Sequence, residues 1–182
     1  MARKKYKNLF KVETVEYDNR IRQEIVYTGD YYITDMPGNL ERRYKICLLL
    51  IPVIMAVLFI GAGFLDNDGS RAFYVVMPYV IQFLPISFMI ISAVSFYPKS
   101  KLTVVQYEKT FKRIGIAGIW VLILSFASVL GEVVFLLAGH GNTPEQELVF
   151  LVCSIITAVS AVAALRIHGK IRFRTEPNEK NG

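Results

Sequence analysis

Four stretches almost free of charge dominate the chain, at 46–65, 72–97, 114–139 and 148–165, with Glu132 as the single break in the third. Each approaches or exceeds the roughly 18 to 20 apolar residues with which an α-helix crosses a hydrocarbon layer about 30 Å thick. A helix on a water-soluble bundle keeps a polar stripe at helical spacing, and these stretches have none. The pattern predicts an all-α membrane protein, a four-transmembrane-helix bundle over 44–167. The connections after the first and third spans are short, so consecutive spans should pack as antiparallel helical hairpins.

The polar tail, 1–43, has a different period. Residues 9–17 and 20–28 are rich in β-branched and aromatic types and flank Asp18-Asn19, a pair suited to a two-residue hairpin turn. A small N-terminal cytoplasmic β-hairpin is expected. Because an isolated hairpin is marginal in water, Tyr31–Thr34 is expected to add a third strand, unless lipid headgroups or a partner supply the support.

Beyond the hairpin, Asp35-Met36-Pro37-Gly38 reads as a turn and Asn39 as the cap of the first helix. Ser70 is a candidate cap for the second span, and Thr143-Pro144-Glu145-Gln146 has the form of a capping box for the fourth. Pro52, Pro78 and Pro85 fall inside spans, where proline is common. Residues 102–113 alternate apolar and basic types, with Tyr107, Phe111 and Ile114 at helical spacing; this predicts an interfacial segment leading into the third span. The last segment, 168–182, reads as a basic cytoplasmic tail.

Composition agrees with the pattern. Over 182 residues, 53% hydrophobic content and a mean hydropathy of +0.39 are too apolar for an ordinary soluble domain. The formal charge of +6 is carried mainly by the N-terminal tail, the middle loop and the C-terminal tail; Arg71 alone lies in the first and third loops. Basic residues flanking spans are retained on the cytoplasmic side, which places both termini and the middle loop there, in a multi-pass protein of the cell membrane. No recognisable nucleic-acid module accompanies the charge. The expected partner is instead a bilayer with an anionic inner leaflet, met by Arg3, Lys4, Lys5, Lys7, Arg42, Arg43, Lys112 and Arg113. A protein partner in the membrane or cytoplasm, and an oligomer, also fit. The two cysteines, Cys47 and Cys153, fall at different depths and in no CxxC, so thiol redox chemistry is not expected.

Glu132 is the residue with the greatest claim to chemistry, because an acid inside a span costs a few kcal/mol and faces the bundle or a wet cavity. One reading makes it an ion- or proton-coupling acid, with Gly118, Ser125 and Ser128 on the same helical face as the lining of a polar path. The other makes it a protonated donor to a serine, threonine or carbonyl of a neighbouring helix. In the fourth span Ser154, Thr157 and Ala161 form a stripe of small residues, expected to pack against the Gly118 face. Lone histidines and the lack of HExxH, GxSxG, P-loop or dinucleotide motifs give no metal site, cofactor or catalytic centre to predict. The expectation is a non-enzymatic accessory or interaction subunit acting through its basic cytoplasmic face; the alternative is a small transporter or channel component that uses Glu132.

Overall fold

The structure, a computed structural model, describes residues 9–17, 20–139 and 144–178. Arg3, Lys4, Lys5, Lys7, the Asp18-Asn19 turn and the Thr143 cap lie outside the described residues.

Strands β1 (Phe10–Tyr17) and β2 (Arg20–Tyr27) pair antiparallel from Phe10↔Tyr27 to Tyr17↔Arg20, the register that two intervening residues impose. A short strand β3 (Tyr31–Thr34) follows, then helix α1 (Gly38–Gly63), a 3₁₀ turn (Asp68–Arg71) and helix α2 (Phe73–Phe96). Strand β4 (Lys101–Thr103) runs into the short helix α3 (Val104–Lys109). Helices α4 (Phe111–Leu137) and α5 (Pro144–Lys170) and strand β5 (Phe173–Glu176) complete the order. Four helical segments are long and apolar enough to span a membrane, that of α3–α4 counting as one.

The bundle is inverted relative to a water-soluble one. Buried positions of α4 recur every three or four residues and include Ser125, Ser128 and Glu132, while Ile116, Ile123, Phe126 and Leu130 face outward. An apolar exterior over a partly polar interior is the arrangement lipid favours. Trp120, near the middle of this outer face, is 55% exposed rather than packed, because it shares the helical side of Ile116 and Ile123.

Small residues let the helices close up. A Cβ on Gly118 would lie 3.0 Å from Leu165 Cδ2 on α5, and one on Gly131 would lie 2.9 Å from the Tyr74 carbonyl oxygen on α2. Leu48, Met55, Met89, Ile114, Val121 and Ala161 fill the space between the four long helices.

Tyr31–Thr34 does form a strand, but it does not extend the hairpin. It is the centre of a second, three-stranded antiparallel sheet ordered β4-β3-β5. The chain turns between β2 and β3: Tyr27 Oη donates to the Asp30 carbonyl at 2.8 Å, and Gly29 lies so close under the tyrosine ring that a Cβ there would meet Oη at 2.6 Å. Freed from the hairpin, β3 gains two partners in place of one. The segment before the third span thus begins as a strand, and the C-terminal region contributes β5.

Two cap assignments also change. Pro37 is the cap of α1 and its carbonyl accepts from the Leu40 and Glu41 N–H groups, which leaves Asn39 inside the first turn. Ser70 Oγ donates to the Asn67 carbonyl at 2.7 Å within the 3₁₀ turn, and α2 starts beyond it with Ala72 at the cap.

Candidate functional site

The end of the bundle away from the second sheet holds a buried polar cluster built from three distant parts of the chain. Glu132 enters from α4, one turn beyond Ser128 on the buried face. Glu147 enters from the first turn of α5, on the line that continues through Phe150, Ser154, Thr157 and Ala161. The 3₁₀ turn closes the pocket with Asn67 and Gly69. Both carboxyls are 0% exposed and Asn67 is 1% exposed.

Glu147 is well supplied with donors: the Gly69 N–H donates to Oε1 at 2.9 Å, Asn67 Nδ2 donates to Oε2 at 3.1 Å, and the Asp68 N–H also points at the group. Among the described residues no donor is directed at either oxygen of Glu132; the group it faces is the Glu147 carboxyl. A side chain at position 69 would have to push both carboxyl groups aside. A Cβ there would sit 2.7 Å from Glu132 Oε2 and 2.7 Å from Glu147 Oε2, so both carboxylates crowd one point of backbone. Arg71 belongs to the rim, 74% exposed and directed at Asp66 (3.7 Å) and Asp68 (3.4 Å), and brings no charge inside.

The chain matches no protein-family model, no curated protein and no solved structure.

The remaining candidate residues are distributed as follows. Ser125 Oγ accepts from Gln82 Nε2 of α2 at 2.7 Å, and Ser128 Oγ approaches the Val75 carbonyl, also of α2, at 3.5 Å. Glu132, Ser128 and Ser125 therefore stack along the α2–α4 seam over about 10 Å of helix rise. Gly118 faces Leu165 of α5, two turns from Ser125. On α5, Ser154, Thr157 and Ala161 are buried, and Thr157 Oγ1 donates back to the Cys153 carbonyl at 2.8 Å. Cys47 and Cys153 are both free thiols.

The opposite end carries the second sheet and the first and last described residues. Phe173 of β5 packs on Phe111 (4.6 Å between centroids), Tyr107 (5.1 Å) and Phe96 (6.3 Å), and Tyr32 of β3 stacks on Tyr107 at 4.5 Å. His168 stacks on Phe111 at 4.0 Å and its Nε2 lies 3.0 Å from the Phe111 carbonyl, a structural role. Lys45 Nζ donates to the Lys99 carbonyl at 2.6 Å and pairs with Glu41 at 2.7 Å. Arg42, Arg43, Lys112 and Arg113 are exposed around this end. Arg113 lies over the Phe88 ring at 5.7 Å, beside an outward-facing groove of about 530 Å³ lined by Pro85, Phe88 and Trp120.

Glu147 is the residue that sequence reasoning missed. It falls between Gln146 and the start of the apolar run, where an acid reads as a favourable charge in a helix's first turn. The available signal was the spacing: Glu147, Phe150, Ser154, Thr157 and Ala161 form one unbroken helical face.

Proposed function

We propose that the chain is a non-enzymatic membrane protein that works through protein contacts at the end carrying its termini, as an accessory subunit of a larger membrane assembly. The supporting observation is the hairpin β1–β2. It is held at its base, where Tyr27 Oη accepts from the Val104 N–H at 3.1 Å and the Tyr27 carbonyl accepts from Asn178 Nδ2 at 2.8 Å. Further out, the cross-strand pair Val12↔Ile25 leaves its side chains 63% and 71% exposed, beside Phe10 at 41%. A two-stranded ribbon with an uncovered apolar face is marginal alone, and apolar patches of this kind mark contact surfaces. Orientation by the basic residues puts this ribbon in the cytoplasm, with Arg42, Arg43, Lys112 and Arg113 held against anionic headgroups.

A photo-crosslinker placed at Val12 in living cells should give a discrete protein adduct that Ile25→Asp removes. The same group at Leu130, on the outer face of α4, should give lipid adducts only. Identical adducts from both positions would overturn the reading.

The column Glu132, Ser128, Ser125 and Gln82 within the bundle supports a second reading, a small transporter or channel component. Cellular assays separate the two, since Glu132→Gln removes the ionisable group and leaves the hairpin intact.

A further inference from the structure

We propose that the pocket formed by Glu132, Glu147, Asn67 and Gly69 binds a hard cation of the calcium class. The inference is independent of the contact function assigned to the opposite end. Three observations carry it.

The first is the number of oxygen acceptors left over. Among the described residues Glu132 Oε1 and Oε2 and Asn67 Oδ1 are buried with no donor, the one group facing Glu132 being the Glu147 carboxyl. Buried acceptors of this kind are rare, because each loses its hydration without compensation. A single proton between the two carboxyls satisfies one oxygen of Glu132 and leaves the other, together with the Asn67 oxygen, unsatisfied. A cation, by contrast, is coordinated by several oxygens at once.

The second is charge. Two carboxylates converge in a space from which water is excluded, and the nearby Arg71 is turned outward to Asp66 and Asp68. A divalent ion would supply positive charge that no described residue brings to the two carboxyls.

The third is donor chemistry and spacing. Among the described residues no His or Cys joins the two carboxyls in a group of three that could hold a metal ion. The available ligands are carboxylate and amide oxygens. Calcium takes oxygen ligands at about 2.3–2.6 Å in irregular arrangements, whereas magnesium demands near-octahedral geometry and keeps several waters. Rotating the Asn67 amide by half a turn puts Oδ1 where Nδ2 now stands, 3.1 Å from Glu147 Oε2, a separation suited to two oxygens on one ion. Gly69, without a Cβ, lets both carboxyl groups approach the same stretch of backbone.

The sequence offered no metal cluster because these ligands come from a turn, a span and a helix start far apart in the chain.

The test uses the full chain in mild detergent, freed of divalent ions with a chelator and then titrated with calcium chloride. Thermal unfolding is followed together with equilibrium dialysis against radioactive calcium. Binding of the native state alone raises the melting temperature saturably, here over the range of about 0.1 to 1 mM typical of weak, exposed-side calcium modules. Glu132→Gln and Asn67→Ala should each weaken binding by roughly tenfold or more. Asp66→Asn, in the same loop but 90% exposed, should bind as the wild type does. No saturable calcium binding by the wild type at about 10 mM, or unchanged binding in both Glu132→Gln and Asn67→Ala, overturns the proposal. Should Glu132→Gln fail to fold, the dialysis of wild type against Asn67→Ala decides alone. Stabilisation by acid with no response to calcium would identify a proton-sharing pair and also overturn it.

Discussion

At the end carrying the termini, Phe173 sits among Tyr32, Phe96, Tyr107 and Phe111, and a three-stranded sheet ties segments from both tails and the middle loop into one body. At the other end, a 3₁₀ turn is tied to the helices by hydrogen bonds to one carboxylate. The first end spreads its cohesion over many ring contacts and backbone bonds, each replaceable. The second concentrates it on a few buried polar atoms, where a single unmatched group is expensive. Redundant apolar packing tolerates small chemical change and punishes lost volume. A sparse polar cluster tolerates lost volume poorly and changed chemistry hardly at all.

The comparison is tested most severely by Phe173→Ala, which removes the ring shared by four others. The expected loss is about 3 kcal/mol, read as a lower melting temperature in detergent. If Phe173→Leu recovers most of it, volume is what matters at this end.

Glu147→Ala at the opposite end should cost about 2 kcal/mol, because the Gly69 N–H and the Asn67 amide lose their acceptor inside a dry pocket. Here the near-isosteric Glu147→Gln should recover little, since it replaces a charged acceptor with a neutral one. A full recovery would make the two ends alike.

Gly69→Ala should cost about 1–2 kcal/mol by forcing the new methyl against both carboxylates. Gly38→Ala, where a Cβ would meet nothing within 4 Å, should be neutral or slightly stabilising, and this pair of melts calibrates the crowding.

Tyr27→Phe should have a smaller effect, about 1 kcal/mol, confined to the base of the hairpin and visible as faster amide exchange there. Burial raises the Tyr27 phenol above its ordinary value of 10.0, more than the Val104 N–H lowers it. An acid whose folded pKa is raised contributes its stabilisation below the unfolded value and loses it as pH climbs through the folded one. The protection factor of the hairpin amides, which removes the intrinsic base catalysis of exchange, should therefore be constant below pH 10 and fall above it in the wild type, and show no such step in Tyr27→Phe. The smallest expected effect is Lys101→Ala, which breaks an exposed 3.0 Å pair with Glu176 and should change stability by under about 0.5 kcal/mol.

How much of this was readable depended on range. The four long helices follow from hydropathy because a span is a local property of about 20 residues. The hairpin register follows from two β-prone runs and the two residues between them. The second sheet was not readable. β4 and β5 are three and four residues long, and each lies beside a strong helical pattern that masks it. Their identity as strands comes from β3, which is distant from both in sequence. The candidate site divides the same way: Glu132 stands out against an apolar background, whereas Glu147 reads as an ordinary helix-start acid until the fold brings the two together.

For a chain whose four long helices cross a membrane, the order β4-β3-β5 would also work as a parity check. Two long helices separate β3 from β4, and two more separate β4 from β5. The three strands meet on one side of a bilayer only if each pair of helices crosses there and back. A chain in which one span failed to insert would strand its last segment across the membrane from β3 and leave that central strand with an open edge. Since β5 follows all four long helices in the chain, the sheet would close only once each of them had crossed, and β3 would keep an open edge until then.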